Sequence, residues 1–132
     1  MQQIISQNKF YKIVIDKSIN RAYVTIIGFW RNTQEVASYL PDCEKALAQL
    51  TPGFTLLTDL TQMKVHPKEL QEVHLAAQAL LLQKGLSQTV EVISSSFVQF
   101  QTGNISKSSK MPLRQFASQQ EAEAYLDSVK AA

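Results

Sequence analysis

FTLLTDL, residues Phe54 to Leu60, is a short and mostly apolar run closed off on its N-terminal side by Thr51, Pro52 and Gly53. Such a run between turn residues reads as a buried strand of the kind found in parallel sheets. A helix follows it. Pro67 suits the first helical turn, while Lys84 and Gly85 supply a basic last turn and a left-handed terminator. At about 100° per residue, Leu70, Val73, Ala77, Leu80 and Leu81 share one face, with His74 at its edge. Leu75, Ala79 and Leu82 fall about 120 to 180° away, where a simple surface helix carries charge, and this predicts a cover over them.

Upstream, β-branched and aromatic residues dominate Phe10 to Asp16 and again Arg21 to Trp30, with a polar turn from Lys17 to Asn20, which is a hairpin pattern. In the second run Ala22, Val24 and Ile26 alternate with Tyr23, Thr25 and Ile27, so both faces are expected to be covered. Asn32 with Glu35 forms a capping-box pattern that opens a first helix, and Val36, Leu40, Cys43, Leu47 and Leu50 continue it. Pro41 must kink or divide that helix, because it has no N–H to give to the carbonyl of Ala37.

Downstream, Thr89 to Ser94 reads as a strand, Ser95 to about Gly103 as a short helix, Asn104 to Met111 as a polar connection and Leu113 to Phe116 as a short edge strand. Ser118 and Glu121 repeat the capping box, and Ala122, Tyr125, Leu126 and Val129 form a clean stripe that should dock the last helix on the sheet. The expected fold is therefore α/β. It has one mixed sheet of about five strands, a hairpin start and then parallel crossovers, with about four helices, in a single domain over residues 1–132.

Composition narrows the class. With 45% hydrophobic and 18% charged residues, the chain is too apolar for intrinsic disorder. A net charge of +2 with scattered basic residues leaves no nucleic-acid stripe, and Lys107, Lys110 and Arg114 read as a solvated loop cluster. Cys43 is the single cysteine, which excludes an intrachain disulfide and points to a reducing compartment. The first ten residues do not read as a signal peptide, and no apolar run approaches the roughly 20 residues of a membrane span, so the cytoplasm is the expected location.

Catalytic chemistry finds little support. The four glycines are too dispersed for a phosphate loop, and no GxSxG elbow is present. Cys43 lies in an apolar stripe and reads as a small buried hydrophobe with a raised thiol pKa. His66 and His74, eight apart, lack the spacing of a helical zinc pair and a third ligand, so no metal is expected, and His66 reads as a solvated loop residue. Asp59, at a strand's C-terminal end, either bonds loop amides or joins His66 at the edge where open α/β sheets gather ligands. Phe29, Trp30 and Arg31, where the second strand gives way to the helix, are the candidate lining of an apolar cleft; the competing reading is that they close the core.

The order of elements, FTLLTDL with its terminal Asp59-Leu60, and the tail FASQQEAEAYL together resemble the STAS-like superfamily of anti-sigma-factor antagonists and sulphate-transporter domains. GFWRNTQEV and the kinked first helix look closer to an uncharacterised bacterial branch described as STAS and lipid-transfer-like. In the signalling members a Ser or Thr at the start of the helix after the third strand is phosphorylated. Here His66, Pro67 and Lys68 stand in that region, and Thr61 follows Asp59 too closely. The resemblance implies a non-catalytic regulatory or protein-interaction module that needs no cofactor. Its surface would include the Asp59 to Lys68 loop with Leu75, Ala79 and Leu82, facing a protein partner or a second copy of the chain. The rival expectation is a carrier of a small apolar ligand or lipid, held near Phe29, Trp30, Arg31, Asp59 and His66.

Overall fold

The computed structural model describes residues 2–64, 66–93 and 113–131. They form one six-stranded sheet whose spatial order follows the chain: β1 (Gln2–Gln7), β2 (Tyr11–Asp16), β3 (Arg21–Ile26), β4 (Thr55–Asp59), β5 (Gln88–Val92) and β6 (Leu113–Phe116). The first three strands pair antiparallel and β3 to β6 pair parallel. Among the described residues there are three α-helices, α1 (Tyr39–Leu47), α2 (Gln71–Gln83) and α3 (Gln119–Ala131).

The sequence missed β1, which raises the strand count from five to six. Gln2-Gln-Ile-Ile-Ser-Gln7 shows no apolar alternation, because this edge strand leaves most of its side chains in water and turns only Ile5 toward the core. Ile4 is 57% exposed, and a register shift between Ile4 and Ser6 interrupts the pairing with β2. The short helix expected over 95–103 and the connection over 104–111 lie outside the described residues.

The hairpin β2–β3 stands as the alternation predicts, with Asn20 at φ 53° in the turn. Ala22, Val24 and Ile26 pack into the larger core, and Tyr23 into the smaller one across the sheet. The first helix is divided, as Pro41 requires. A 3-10 turn, Thr33–Val36, is followed by α1, in whose first turn Pro41 sits where no N–H is needed. The Asn32 cap accepts from the Glu35 amide at 3.0 Å, but Glu35 returns its carboxylate to the amide of Arg31, one residue ahead of the cap.

Helices α1 and α2 cover one face of the sheet, over Ile13, Ile15, Val24, Ile26 and Leu56. Because β4 alternates, Leu57 faces the other way, where α3 presses the fully buried Ala122 and Leu126 onto Leu57, Val90 and Val92. The terminal helix is docked, with Ser118 capping the Glu121 amide at 3.2 Å. Gly85 ends α2 at φ +97°, and a Cβ there would lie 2.9 Å from that of Pro52.

Candidate functional site

Strands β3 and β4 run parallel, so the connections leaving them toward α1 and α2 emerge at the same end of the sheet. They are tied together at Gly28, whose left-handed φ of 68° favours glycine. Gly28 forms a parallel bridge to Met63, its N–H donates to the Gln62 carbonyl at 2.8 Å, and its own carbonyl accepts from the Lys64 amide at 3.1 Å. The same carbonyl lies 3.1 Å from His66 Nε2.

Two residues past Gly28, Trp30 turns into the protein and is fully buried. Its indole N–H donates to the Phe10 carbonyl at 3.0 Å, and Tyr11 and Tyr39 meet its ring edge-on. The imidazoles of His66 and His74 lie nearly parallel to the indole, with centroids 4.9 and 5.2 Å from it. His66 Nδ1 is 3.0 Å from His74 Nε2, and the two imidazole planes differ by 15°.

The tautomers follow from this geometry. A carbonyl can only accept, so the proton of His66 sits on Nε2, which leaves Nδ1 bare to accept from His74 Nε2–H. Burial holds both imidazoles neutral. It pushes His66 below its usual range against the Gly28 carbonyl, and pushes His74 down to about 3, with His66 adding to the effect.

The structure therefore corrects one expectation and decides between two others. His66 is 3% exposed and not a solvated loop residue, and it meets His74 although their separation of eight fits no helical ligand pair. Trp30 lines no surface cleft but closes the core. Of the candidate ligand residues, Phe29, Trp30 and His66 come together, Phe29 meeting His66 edge-on while remaining 47% exposed. Arg31 points into solvent and forks onto Glu35, and Asp59 accepts from the amide and hydroxyl of Thr61, so neither joins the group. On the candidate interaction surface, Lys68, Ala79 and Leu82 are exposed and Leu75 is half-buried.

Between the sheet and helices α1 and α2 lies a cavity of about 70 Å³, lined in part by Tyr39, Cys43, Thr58, His74, Gln78 and Glu91. Burial pushes the Cys43 thiol up to about 12 and the Tyr39 phenol well above its usual range, so both are neutral. Thr58, Glu91 and Gln115 stand in register across β4, β5 and β6, and Glu91 accepts from Gln115 Nε2 at 3.0 Å. Sequence reading passed over this polar row. Its one signal was Glu91, a charge inside the apolar run TVEVI. No group of three or more His, Cys, Asp or Glu side chains converges to hold a metal among the described residues.

By sequence, no family model and no curated protein matches the chain. By structure it is similar to an uncharacterized DUF3478-family protein with a SpoIIAA-like fold from Shewanella loihica PV-4, with a TM-score of 0.68 and 18% identity over 92% of this chain and 97% of that one. It is also similar to SiaC of Pseudomonas aeruginosa, with a TM-score of 0.57 and 10% identity over 88% of this chain and 99% of that one. The fold is thus STAS-like, as the order of elements implied.

Proposed function

We propose that this STAS-like domain is a non-catalytic regulatory or interaction module whose working surface is the loop after β4 with the exposed flank of α2. One observation carries the reading: the loop is anchored on Gly28 by backbone bonds at Gln62 and Lys64 and by His66, and it still presents its lysines to water. A pre-organised loop loses little conformational entropy when a partner binds. Exposed Lys64, Lys68, Phe29 and Leu82 supply the mixture of charge and apolar area that such interfaces use. Where the signalling members carry a phosphoacceptor, this chain offers His66, Pro67 and Lys68, so binding is not switched there by a phosphorylated hydroxyl.

Local geometry speaks against an enzyme. The Ser and Thr hydroxyls that bond carboxylates among the described residues, Ser18 to Asp16, Thr61 to Asp59 and Ser118 to Glu121, do so within turns and caps. The phenols that do so, Tyr11 to Asp42 and Tyr23 to Glu123, are pushed up to about 12 by burial first and by those carboxylates, so neither is an activated nucleophile. The carrier reading is weaker for a reason of size, since about 70 Å³ is under half of the ~150 Å³ that takes up a benzene ring. The single buried thiol of Cys43 fits a cytoplasmic protein, and no helix among the described residues is long and apolar enough to cross a membrane.

Cross-linking in extracts of the native cells, read by mass spectrometry, tests the module. The expected product joins a protein partner, or a second copy, to Lys64 or Lys68, and the double variant Lys68→Glu, Leu82→Glu loses it without a change in Tm. Native protein that carries a lipid or small molecule and forms no such adduct would favour the carrier instead.

A further inference from the structure

We infer that the hydrogen bond between His66 and His74 is a proton-labile latch that fastens the loop after β4 to helix α2. The inference deepens the reading of that loop as the working surface by naming what regulates it, and it stands on the ring geometry alone.

The His66 side chain bonds to both neighbouring segments, Gly28 on one side and His74 of α2 on the other. Both bonds need His66 in a single neutral tautomer. A proton added at His66 Nδ1 opposes the His74 Nε2–H at 3.0 Å unless His74 moves its own proton to Nδ1, and in both cases it charges a ring that is 3% exposed. A proton added at His74 Nδ1 leaves the bond in place but charges a ring that lines a mostly apolar cavity. In either event the packed junction must bury a charge that water would solvate once the loop lifts, so acid favours release of the loop from the helix while Trp30, its platform, keeps its own bond to Phe10.

The groups around the latch set its direction. From the β3 to α1 connection come the Gly28 carbonyl and the rings of Phe29 and Trp30, which carry no charge. From α1 come Tyr39 and Cys43, both held neutral by burial. Helix α2 adds Gln78, and β4 adds Thr58. Among the described residues the carboxyl on the cavity wall is that of Glu91 of β5, which accepts from Gln115. Burial, with the neighbouring His66 adding to it, holds His74 uncharged.

Trp30 is the only tryptophan, and it touches both imidazoles, so its emission reports the latch without any partner. On acid titration of the full chain, a reversible quench is expected with a midpoint more than one pH unit below 6.5. Faster amide exchange at Gly28 and Lys64 should accompany it, ahead of the loss of helical circular dichroism. His74→Gln still offers an N–H to His66 but cannot titrate, so the quench and the faster exchange should shrink to the share owed to His66. Emission and exchange that stay flat until the whole protein unfolds would overturn the latch, as would an unchanged transition in His74→Gln. Nitrogen-15 spectra of the native imidazoles at pH 7 need no variant: a proton on His66 Nδ1, or a charged ring, also overturns it. A failure to find the cross-linked partner with the acid transition intact would remove the working-surface reading and leave the latch standing.

Discussion

Arg21 offers a quantitative test of how α3 is held. Its side chain is fully buried, with Nε donating to Thr55 Oγ1 at 2.9 Å, Nη1 bonded to Glu123 at 3.0 Å and Nη2 paired with Asp127 at 2.9 Å. Glu123 also accepts from the Tyr23 hydroxyl at 2.7 Å. The two carboxylates are 34% and 67% exposed, so only the cation has lost its water. Stranding a wholly buried charge costs about 3–5 kcal/mol, whereas an exposed pair contributes about 0–1 kcal/mol. Glu123 lies between these limits, so Glu123→Gln with Asp127→Asn should cost about 2–3 kcal/mol. Arg21→Met should cost less, about 1 kcal/mol, because it also removes the desolvated cation and leaves two carboxylates that water can reach. Urea unfolding at pH 7.5 in low salt, followed by circular dichroism, gives both values, and the difference should separate the melting temperatures by roughly 4–8 °C. If Arg21→Met proves the more damaging, then direct attraction outweighs desolvation at this site and the reasoning fails.

Three further outcomes are expected. The folded value of His74, about 3, lies below the unfolded value of about 6.5, so the unfolded chain binds more protons in acid; stability is complete above pH 6.5 and falls as pH drops through it. From pH 7.5 to pH 5 the loss from His74 alone should be about 2 kcal/mol, with His66 adding in the same direction, and equal urea midpoints for native protein and His74→Gln at both pH values would contradict it. Gly85→Ala must hold a side chain at φ +97° against Pro52, so it should cost more than the ~1 kcal/mol of the left-handed backbone alone, read from the same unfolding curves. Leu126→Ala empties a fully buried site under α3 and should cost about 2–5 kcal/mol, with amide exchange accelerated first along that helix.

Where side chains must alternate between two environments, the fold was legible in the chain. The two-sided burial of β3, the break just ahead of Pro41, the capped start of α3 and the stop at Gly85 each follow from a local rule, and each stands in the structure. Strand β1 was not legible, because an edge strand that packs only Ile5 on the core leaves no apolar alternation to read. The candidate site was half legible. Phe29, Trp30 and Arg31 and the loop carrying His66 were singled out, but with cleft and closed core left as alternatives and the histidine read as solvated, since composition cannot say which way an aromatic at a strand end will turn.

The sequence by itself determined the order of the described elements from β2 onward, the mixed sheet and the hydrophobicity of both its faces, because periodicity and turn chemistry act within a few residues of chain. Only the tertiary structure decided that residues 28, 30, 66 and 74 meet. Parallel pairing of β3 with β4 brings the two outgoing connections to one end of the sheet, and packing of α2 then sets His74 against His66. Their spacing along the chain carries no trace of that contact. With burial comes the loss of water that keeps both imidazoles neutral, so the chemistry of this pair belongs to the packed structure and not to either residue.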